Sequence, residues 1–134
     1  MQAIRFHTQG PPAVLQLDDI PAPAQPGPGE VLLEVRAAGV NHLDIWCRRE
    51  VRGIPLPRIP GADAAGVIRA IGGGVTAVAP GDPVLIDPGF SCGDCPACNR
   101  GEASLCSGYG ILGESCDGTY REVITVRADA CYPL

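Results

Sequence analysis

The sequence predicts a mainly β domain with short helices. Eighteen glycines and fourteen prolines among 134 residues indicate many turns, and few apolar patterns reach the length of a helix. Aromatic residues make up only 4% of the chain, so Val, Ile, Leu and Ala are expected to fill the core. The length allows one domain over residues 1–134 that folds without needing a disulfide or a metal.

The N-terminal third is predicted to contain a hairpin and one long strand. Residues 1–7 and 14–18 form the hairpin, because Gly10-Pro11-Pro12 between them cannot continue a strand. The prolines of residues 20–29 hold that connector extended. Residues 31–38 (VLLEVRAA) are the clearest strand of the chain.

A short helix is predicted over residues 43–49. Asn41 precedes it as a cap whose side chain accepts a backbone N–H. The helical spacing is expected to put Leu43, Trp46 and Cys47 on one side.

Three more strands are predicted in the second half of the chain, where glycine and proline turns punctuate the sequence. They cover residues 64–71, 83–87 and 119–126, and the last of them closes the sheet. Residues 129–134 are expected to form an end without a structural partner.

Four cysteines within fifteen residues are the most specific feature of the sequence. Cys92, Cys95, Cys98 and Cys106 are separated by two, two and seven residues. Four thiolates form a closed tetrahedral site for zinc, with metal–sulfur distances of about 2.3 Å and no open position for a substrate. We therefore predict one structural zinc, held by a lobe that spans residues 88–117.

Disulfides and an iron–sulfur cluster are the alternatives for these cysteines. The chain has seven cysteines and no secretory signal pattern, which favours thiols in a reducing cytoplasm. The ferredoxin pattern places the fourth cysteine after three residues and before a proline, unlike Cys106. Cys47, Cys116 and Cys131 are expected to be small buried hydrophobic residues.

Charge and hydropathy exclude two classes of partner. The net charge is −5, no lysine is present and the arginines are scattered, so neither nucleic acid nor an acidic membrane surface is expected to bind. No apolar run is long enough to span a membrane.

The pattern Gly108-Tyr109-Gly110-Ile111-Leu112-Gly113 matches a dinucleotide fingerprint, but it neither follows a buried strand nor opens a helix. It is interpreted as turn sequence.

The order and spacing of several motifs resemble a known family. They are residues 39–44 (GVNHLD), 59–67 (IPGADAAGV), 70–72 (AIG) and 80–84 (PGDPV), together with the cysteine quartet. With these motifs the chain resembles the N-terminal catalytic domain of the medium-chain dehydrogenases/reductases, which include zinc alcohol dehydrogenases and quinone oxidoreductases. The resemblance covers residues 1–134 and implies a GroES-like, partly open β-barrel.

The resemblance also implies an NAD(P)-dependent oxidoreductase built from two domains. The second, a Rossmann domain, binds the cofactor and is not expected within these residues, so this part alone is expected to be inactive. Small carbonyl, alcohol or quinone substrates are implied, with possible homo-oligomers formed through the second domain.

Two ligands of the family's catalytic zinc are missing. Asn41 stands where zinc alcohol dehydrogenases have a cysteine, and Gly61-Ala62-Asp63 replaces a Gly-His-Glu triplet. The family's proton-relay positions fall on Leu43 and Trp46, which carry no usable acid or base. The sequence therefore resembles the zinc-independent, quinone oxidoreductase-like members, which carry an Asn at the position of Asn41.

Three residues are site candidates by this resemblance. Asn41 would contact the reacting carbonyl, although it is equally a helix cap. Trp46 would form an apolar wall of the substrate pocket, unless it belongs to the core. His42 would lie near the cofactor phosphates, unless it is a plain surface imidazole. A zinc-stabilised barrel that serves as a binding or assembly module, without catalysis, is the alternative function.

Overall fold

Nine β-strands in three sheets build the fold, and the computed structural model describes all residues from 1 to 134. The strands are β1 (Gln2–Phe6), β2 (Leu15–Asp19), β3 (Glu30–Ala38), β4 (Ala64–Ile71), β5 (Pro83–Ile86), β6 (Gly89–Phe90), β7 (Gly110–Ile111), β8 (Val123–Arg127) and β9 (Cys131–Pro133). The helices are α1 (His42–Arg49) and α2 (Pro96–Asn99). Three single 3₁₀ turns lie at Pro12–Val14, Ala103–Leu105 and Ala128–Ala130.

The core lies against the five-stranded sheet, whose order is β8-β3-β4-β5-β9. The central strand β3 places Leu33 beside Ile68 on one neighbour and beside Ile124 on the other. All three side chains are fully or almost fully buried. Aliphatic residues therefore fill the core as predicted, and they are, with one cysteine, Val31, Leu33, Ala64, Ile68, Val78, Val84, Ile86, Ile124, Val126 and Cys131.

The predicted hairpin is confirmed, since β1 and β2 pair with each other from Gln2↔Asp19 to Phe6↔Leu15. It joins the remaining barrel through single bridges from Phe6 to Arg58 and from Ala3 to Arg121. All strand pairings are antiparallel. These residues thus contain no βαβ unit of the kind that forms a Rossmann fold.

Two details at the C-terminal side differ from the prediction, although the closing strand itself is present as β8. The predicted strand over 119–126 begins only at Val123, because Thr119 and Tyr120 donate their backbone N–H groups to the carbonyls of Gly61 and Pro60. Residues 129–134 do have a partner, since β9 pairs with β5 and extends the main sheet by one strand. A three-residue strand is too short to show the alternating pattern by which a strand is predicted from sequence.

The longest helix, α1, has eight residues. None of the helices is long and apolar enough to cross a membrane.

Candidate functional site

The four sulfurs of the cysteine quartet converge in the lobe of residues 88–117. All four Sγ atoms lie within 4.8 Å of one another, and none belongs to a disulfide. Contacts of 3.5 Å join Cys95 to Cys98 and Cys92 to Cys106, and one of 3.9 Å joins Cys92 to Cys98. Ligands 2.3 Å from a tetrahedral zinc lie about 3.8 Å apart, so this arrangement fits the ion.

Short local elements place these sulfurs. Cys95 caps α2, whose first residue is a proline, and Cys98 follows within the same helical turn. Proline suits this first position because its missing N–H would have no partner there. Cys106 follows the 3₁₀ turn Ala103–Leu105. The chain therefore needs only one helical turn and one tight turn to return the fourth sulfur to the other three.

Polar neighbours act differently on the individual thiols. Hydrogen bonds from backbone N–H groups, including that of Gly108 at 3.3 Å, lower the pKa of Cys106. The Ser91 hydroxyl lowers the pKa of Cys98 to about 6, whereas the Asp94 carboxylate raises the pKa of Cys92 to about 12. Zinc binds thiolates, and the N–H and O–H donors beside Cys98 and Cys106 favour that form.

A two-stranded stem ties the lobe to the barrel. Strands β6 and β7 pair through Gly89↔Ile111 and Phe90↔Gly110. The Phe90 ring covers Gly110 and the Tyr109 hydroxyl covers Gly89 so closely that a Cβ on either glycine would collide. Close packing of ring on backbone thus fixes the orientation of the lobe.

A second polar cluster lies at the N-terminus of α1. Asn41 occupies the N-cap position, as predicted, and the helix begins one residue earlier than predicted, at His42. The side-chain amide of Asn41 donates from Nδ2 to Oδ2 of Asp63 over 2.8 Å. Asn41 and Asp63 are the two polar side chains at the positions that the sequence analysis compared with catalytic zinc ligands.

Asp44 is the buried centre of this cluster and is only 8% exposed. Its Oδ2 atom accepts the Asn41 backbone N–H at 2.8 Å and the Tyr120 hydroxyl at 3.0 Å. Its Oδ1 atom accepts the Gly61 backbone N–H at 2.8 Å. One carboxylate therefore links the start of α1 to the segment before β4 and to the segment before β8. Burial and the nearby Asp44 charge raise the pKa of Tyr120.

The buried face of α1 differs from the prediction. Cys47 is fully buried, but its companions are Asp44 and Arg48, not Leu43 and Trp46. The carboxylate and guanidinium can be buried because each hydrogen-bonds to backbone groups, Arg48 through the carbonyl of Gly10. From the sequence Asp44, like Asp63, is expected only to hold local structure, and its place at the centre of the site is not predicted. Its signal was present, since a cap residue followed three positions later by an acidic residue is a capping-box pattern.

Trp46 and His42 lie together on the exposed side of α1. The Trp46 side chain is 50% exposed, so it is not a core residue. Its ring centroid lies 5.9 Å from that of His42, which is also exposed. The helix thus brings the two predicted site residues together beside Asn41, which directly precedes His42.

The remaining cysteines divide into two groups. Cys47 and Cys131 are buried as predicted, and burial raises the pKa of each thiol to about 11. Cys116 is only partly buried.

The glycine pattern of residues 108–113 contains β7 and a turn, which confirms that it does not open a helix.

Comparisons with known families match this fold and these motifs. Residues 27–134 match the family model described as "Alcohol dehydrogenase GroES-like domain". This match covers the long strand β3, α1, the cysteine lobe and the closing strands.

Individual relatives agree with the family match. D-altritol 5-dehydrogenase of Agrobacterium fabrum is 36% identical over 130 residues, which cover 96% of this chain and 38% of that protein. A crystal structure of an NAD-dependent alcohol dehydrogenase has a TM-score of 0.94 at 45% identity, over 99% of this chain and 39% of that one. The cobalt- and zinc-bound thermostable alcohol dehydrogenase of Pyrobaculum aerophilum has a TM-score of 0.89 at 40% identity, over 99% and 41%.

The chain spans about two fifths of the length of these relatives. Within that span the predicted GroES-like fold is confirmed by the barrel, the lobe and the coverage of nearly the whole chain. This chain belongs to the family of alcohol dehydrogenase GroES-like domains.

Proposed function

We propose that this chain is the catalytic-domain part of an NAD(P)-dependent oxidoreductase that acts on a small carbonyl, alcohol or quinone. The proposal includes one structural zinc in the cysteine quartet, no catalytic zinc, and a reducing cytoplasmic location. Family membership supports the reaction class. The four converging sulfurs support the structural zinc.

The pairing of Asn41 with Asp63 carries the proposal of a metal-free reaction site. A catalytic zinc normally needs three protein ligands and one open position. Asn41 offers an amide whose Nδ2 already bonds to Asp63, and Ala62 is buried without any donor atom. One hydrogen bond joins the two side chains, so this part of the site fits a hydrogen-bonded pair better than a metal ion.

Asn41 has a direct role available in this arrangement. A primary amide has two N–H groups on one nitrogen, and the bond to Asp63 uses one of them. The second N–H can donate to a substrate oxygen that gains negative charge, which is the interaction that lowers such barriers most. Asp63 would fix the orientation of the amide, which makes it a positioning residue.

The nicotinamide, when bound by the remainder of a full-length protein, supplies the hydride. His42 and Trp46 would border this cofactor and the substrate, His42 near the phosphates and Trp46 as an apolar wall. Their exposed positions beside Asn41 leave both side chains free for such contacts.

The test is turnover by the full-length protein. Oxidation of NADH and NADPH is followed with a panel of aldehydes, ketones and quinones, and nicotinamide binding is measured on residues 1–134 alone. We expect turnover by the full-length protein and no binding to the isolated domain. Micromolar binding to residues 1–134 would contradict the proposed division of labour. A full-length protein that neither binds nicotinamide nor reduces any substrate would instead support a non-catalytic binding module.

A further inference from the structure

We propose that the cysteine quartet is also a thiol–disulfide switch, in which Cys95 pairs with Cys98 and Cys92 pairs with Cys106. Oxidation would remove the thiolate ligands and release the metal. This inference rests on the proposed structural zinc, and the zinc content measured before oxidation tests that proposal separately.

Sulfur positions favour this pairing. The Cys95–Cys98 and Cys92–Cys106 contacts are both 3.5 Å and use each sulfur once. The contact of 3.9 Å between Cys92 and Cys98 competes with both, and Cys106 also lies near Cys95 and Cys98, so the proposed pairs are the shortest contacts among several. Because a disulfide bond is about 2.05 Å long, each pair has to close by roughly 1.5 Å. Side-chain rotation within a loop can supply such a movement.

Access to oxidant is greatest in the quartet at three of its four thiols, whereas Cys106 is buried and Cys116, outside the quartet, is partly exposed but is not among the clustered sulfurs. Cys92 is exposed, and Cys95 and Cys98 are partly exposed. Oxidation of cysteine follows exposure and thiolate character. Cys47 and Cys131 are buried in the barrel with no thiol partner at hydrogen-bonding distance. We therefore expect an oxidant to react with the paired thiols of the lobe before it reacts with the buried thiols.

Hydrogen peroxide is the oxidant class that balances the reaction. One thiolate attacks a peroxide oxygen, the O–O bond breaks, and a sulfenic acid and hydroxide form. The second thiolate attacks that sulfur and expels another hydroxide, so two thiolates, one peroxide and two protons give one disulfide and two waters. Two peroxides convert the quartet into two disulfides, and the metal leaves as a free divalent cation.

We expect the β-barrel to stay folded when the quartet is oxidised. None of the ten residues that form the hydrophobic core comes from the lobe, and the β6–β7 stem holds the lobe without help from the sulfurs. The lobe does form one wall of a cleft of about 620 Å³, through Ala103, Ser104 and Tyr109. Thr125 and Arg127 of β8 line the same cleft. Oxidation would thus reshape this cleft while the barrel stays folded.

The experiment titrates the zinc-loaded full-length protein with hydrogen peroxide. Zinc release is followed with a chromogenic chelator, and peptide mapping without reduction identifies the disulfides. We expect release of about one equivalent of zinc, as a single closed site requires, together with the Cys95–Cys98 and Cys92–Cys106 peptides. A dithiol reductant with added zinc should reverse both changes. Mixed pairings, sulfinic or sulfonic acids as the main products, or zinc retained after oxidation would overturn the proposal.

Two variants sharpen the result. Cys95→Ser should leave only the Cys92–Cys106 disulfide, and this mapping can be read even if the variant no longer holds zinc. Cys116→Ser, outside the quartet, should behave like the parent protein. Loss of the switch in Cys116→Ser would assign the chemistry to a different thiol and contradict the proposed pairs.

Discussion

The amide nitrogen of Asn41 donates to Oδ2 of Asp63 over 2.8 Å. This bond connects the first turn of α1 with the residue directly before β4, twenty-two positions away. It gives Asn41 a fixed orientation that a helix cap alone would not require. The role of Asn41 can therefore be separated from capping by experiment.

We predict that Asn41→Asp in the full-length protein lowers kcat/KM by about 100-fold, because Asp caps a helix as well as Asn does but has no N–H to donate, either to the substrate or to Asp63, whose carboxylate it would repel. The loss should appear mainly in kcat, since the donor acts on charge that develops during the reaction. Steady-state kinetics with the best substrate of the panel measure this effect.

Asn41→Ser is the matched control for this prediction. Serine also caps helices and keeps one donor, so its kcat should lie between those of the parent and Asn41→Asp. If Asn41→Asp retained the parental rate, Asn41 would be a cap only.

Asp44 is expected to stabilise the domain through its three hydrogen bonds. Asp44→Asn replaces one carboxylate oxygen by an NH2 group, which then faces the N–H of either Asn41 or Gly61, and we predict a loss of about 1–3 kcal/mol in the free energy of unfolding. Tyr120→Phe, which removes the hydroxyl that contacts both Asp44 and the Gly39 carbonyl, should cost about 1 kcal/mol. Urea denaturation gives both values. In an Asp44→Ala background the Tyr120→Phe cost should shrink, and additive costs would show that the two residues do not interact.

Gly61 is required by its backbone as well as by its lack of a side chain. Its φ is +97°, and a Cβ there would collide with the ring of Tyr120. We predict that Gly61→Ala lowers the thermal midpoint by several degrees, since backbone strain and the collision together cost about 1–3 kcal/mol of folding free energy. Gly73→Ala is the control, because no atom lies near its added Cβ. Equal midpoints for the two variants would contradict the account of the Asp44 cluster.

Much of this fold could be predicted from local pattern, and the parts that could not are contacts across long stretches of sequence. The quartet can be predicted because the spacing of its ligands is local in sequence. Strand β3 can be predicted from its run of aliphatic residues. The pairing of Tyr120 with Pro60 and the bond from Asn41 to Asp63 are not visible, since no spacing rule joins segments so far apart. The burial of Asp44 is not predicted for another reason: helix periodicity assigns apolar residues to the buried face, and here a carboxylate with three donors takes that place.

Stability should fall at alkaline pH because of two buried thiols, Cys131, whose pKa is raised to about 11, and Cys47. Burial, with a smaller contribution from Glu114 and Asp44, raises the pKa of Cys47 from the ordinary 9.0 to about 11. Between these values the unfolded chain loses the thiol proton while the native chain keeps it, so the free energy of unfolding decreases as pH rises through this window. Denaturation from pH 8 to about 11 measures the slope. Cys47→Ser should reduce the slope, and an unchanged slope would remove Cys47 from the explanation.

The central claim is that the quartet holds the only metal of the domain. Anomalous scattering at the zinc edge from crystals of the full-length protein, combined with metal analysis, tests it directly. We predict close to one zinc per chain, located between Cys92, Cys95, Cys98 and Cys106. A second metal beside Asp63, or an empty or disulfide-bonded quartet in freshly reduced protein, would contradict this account.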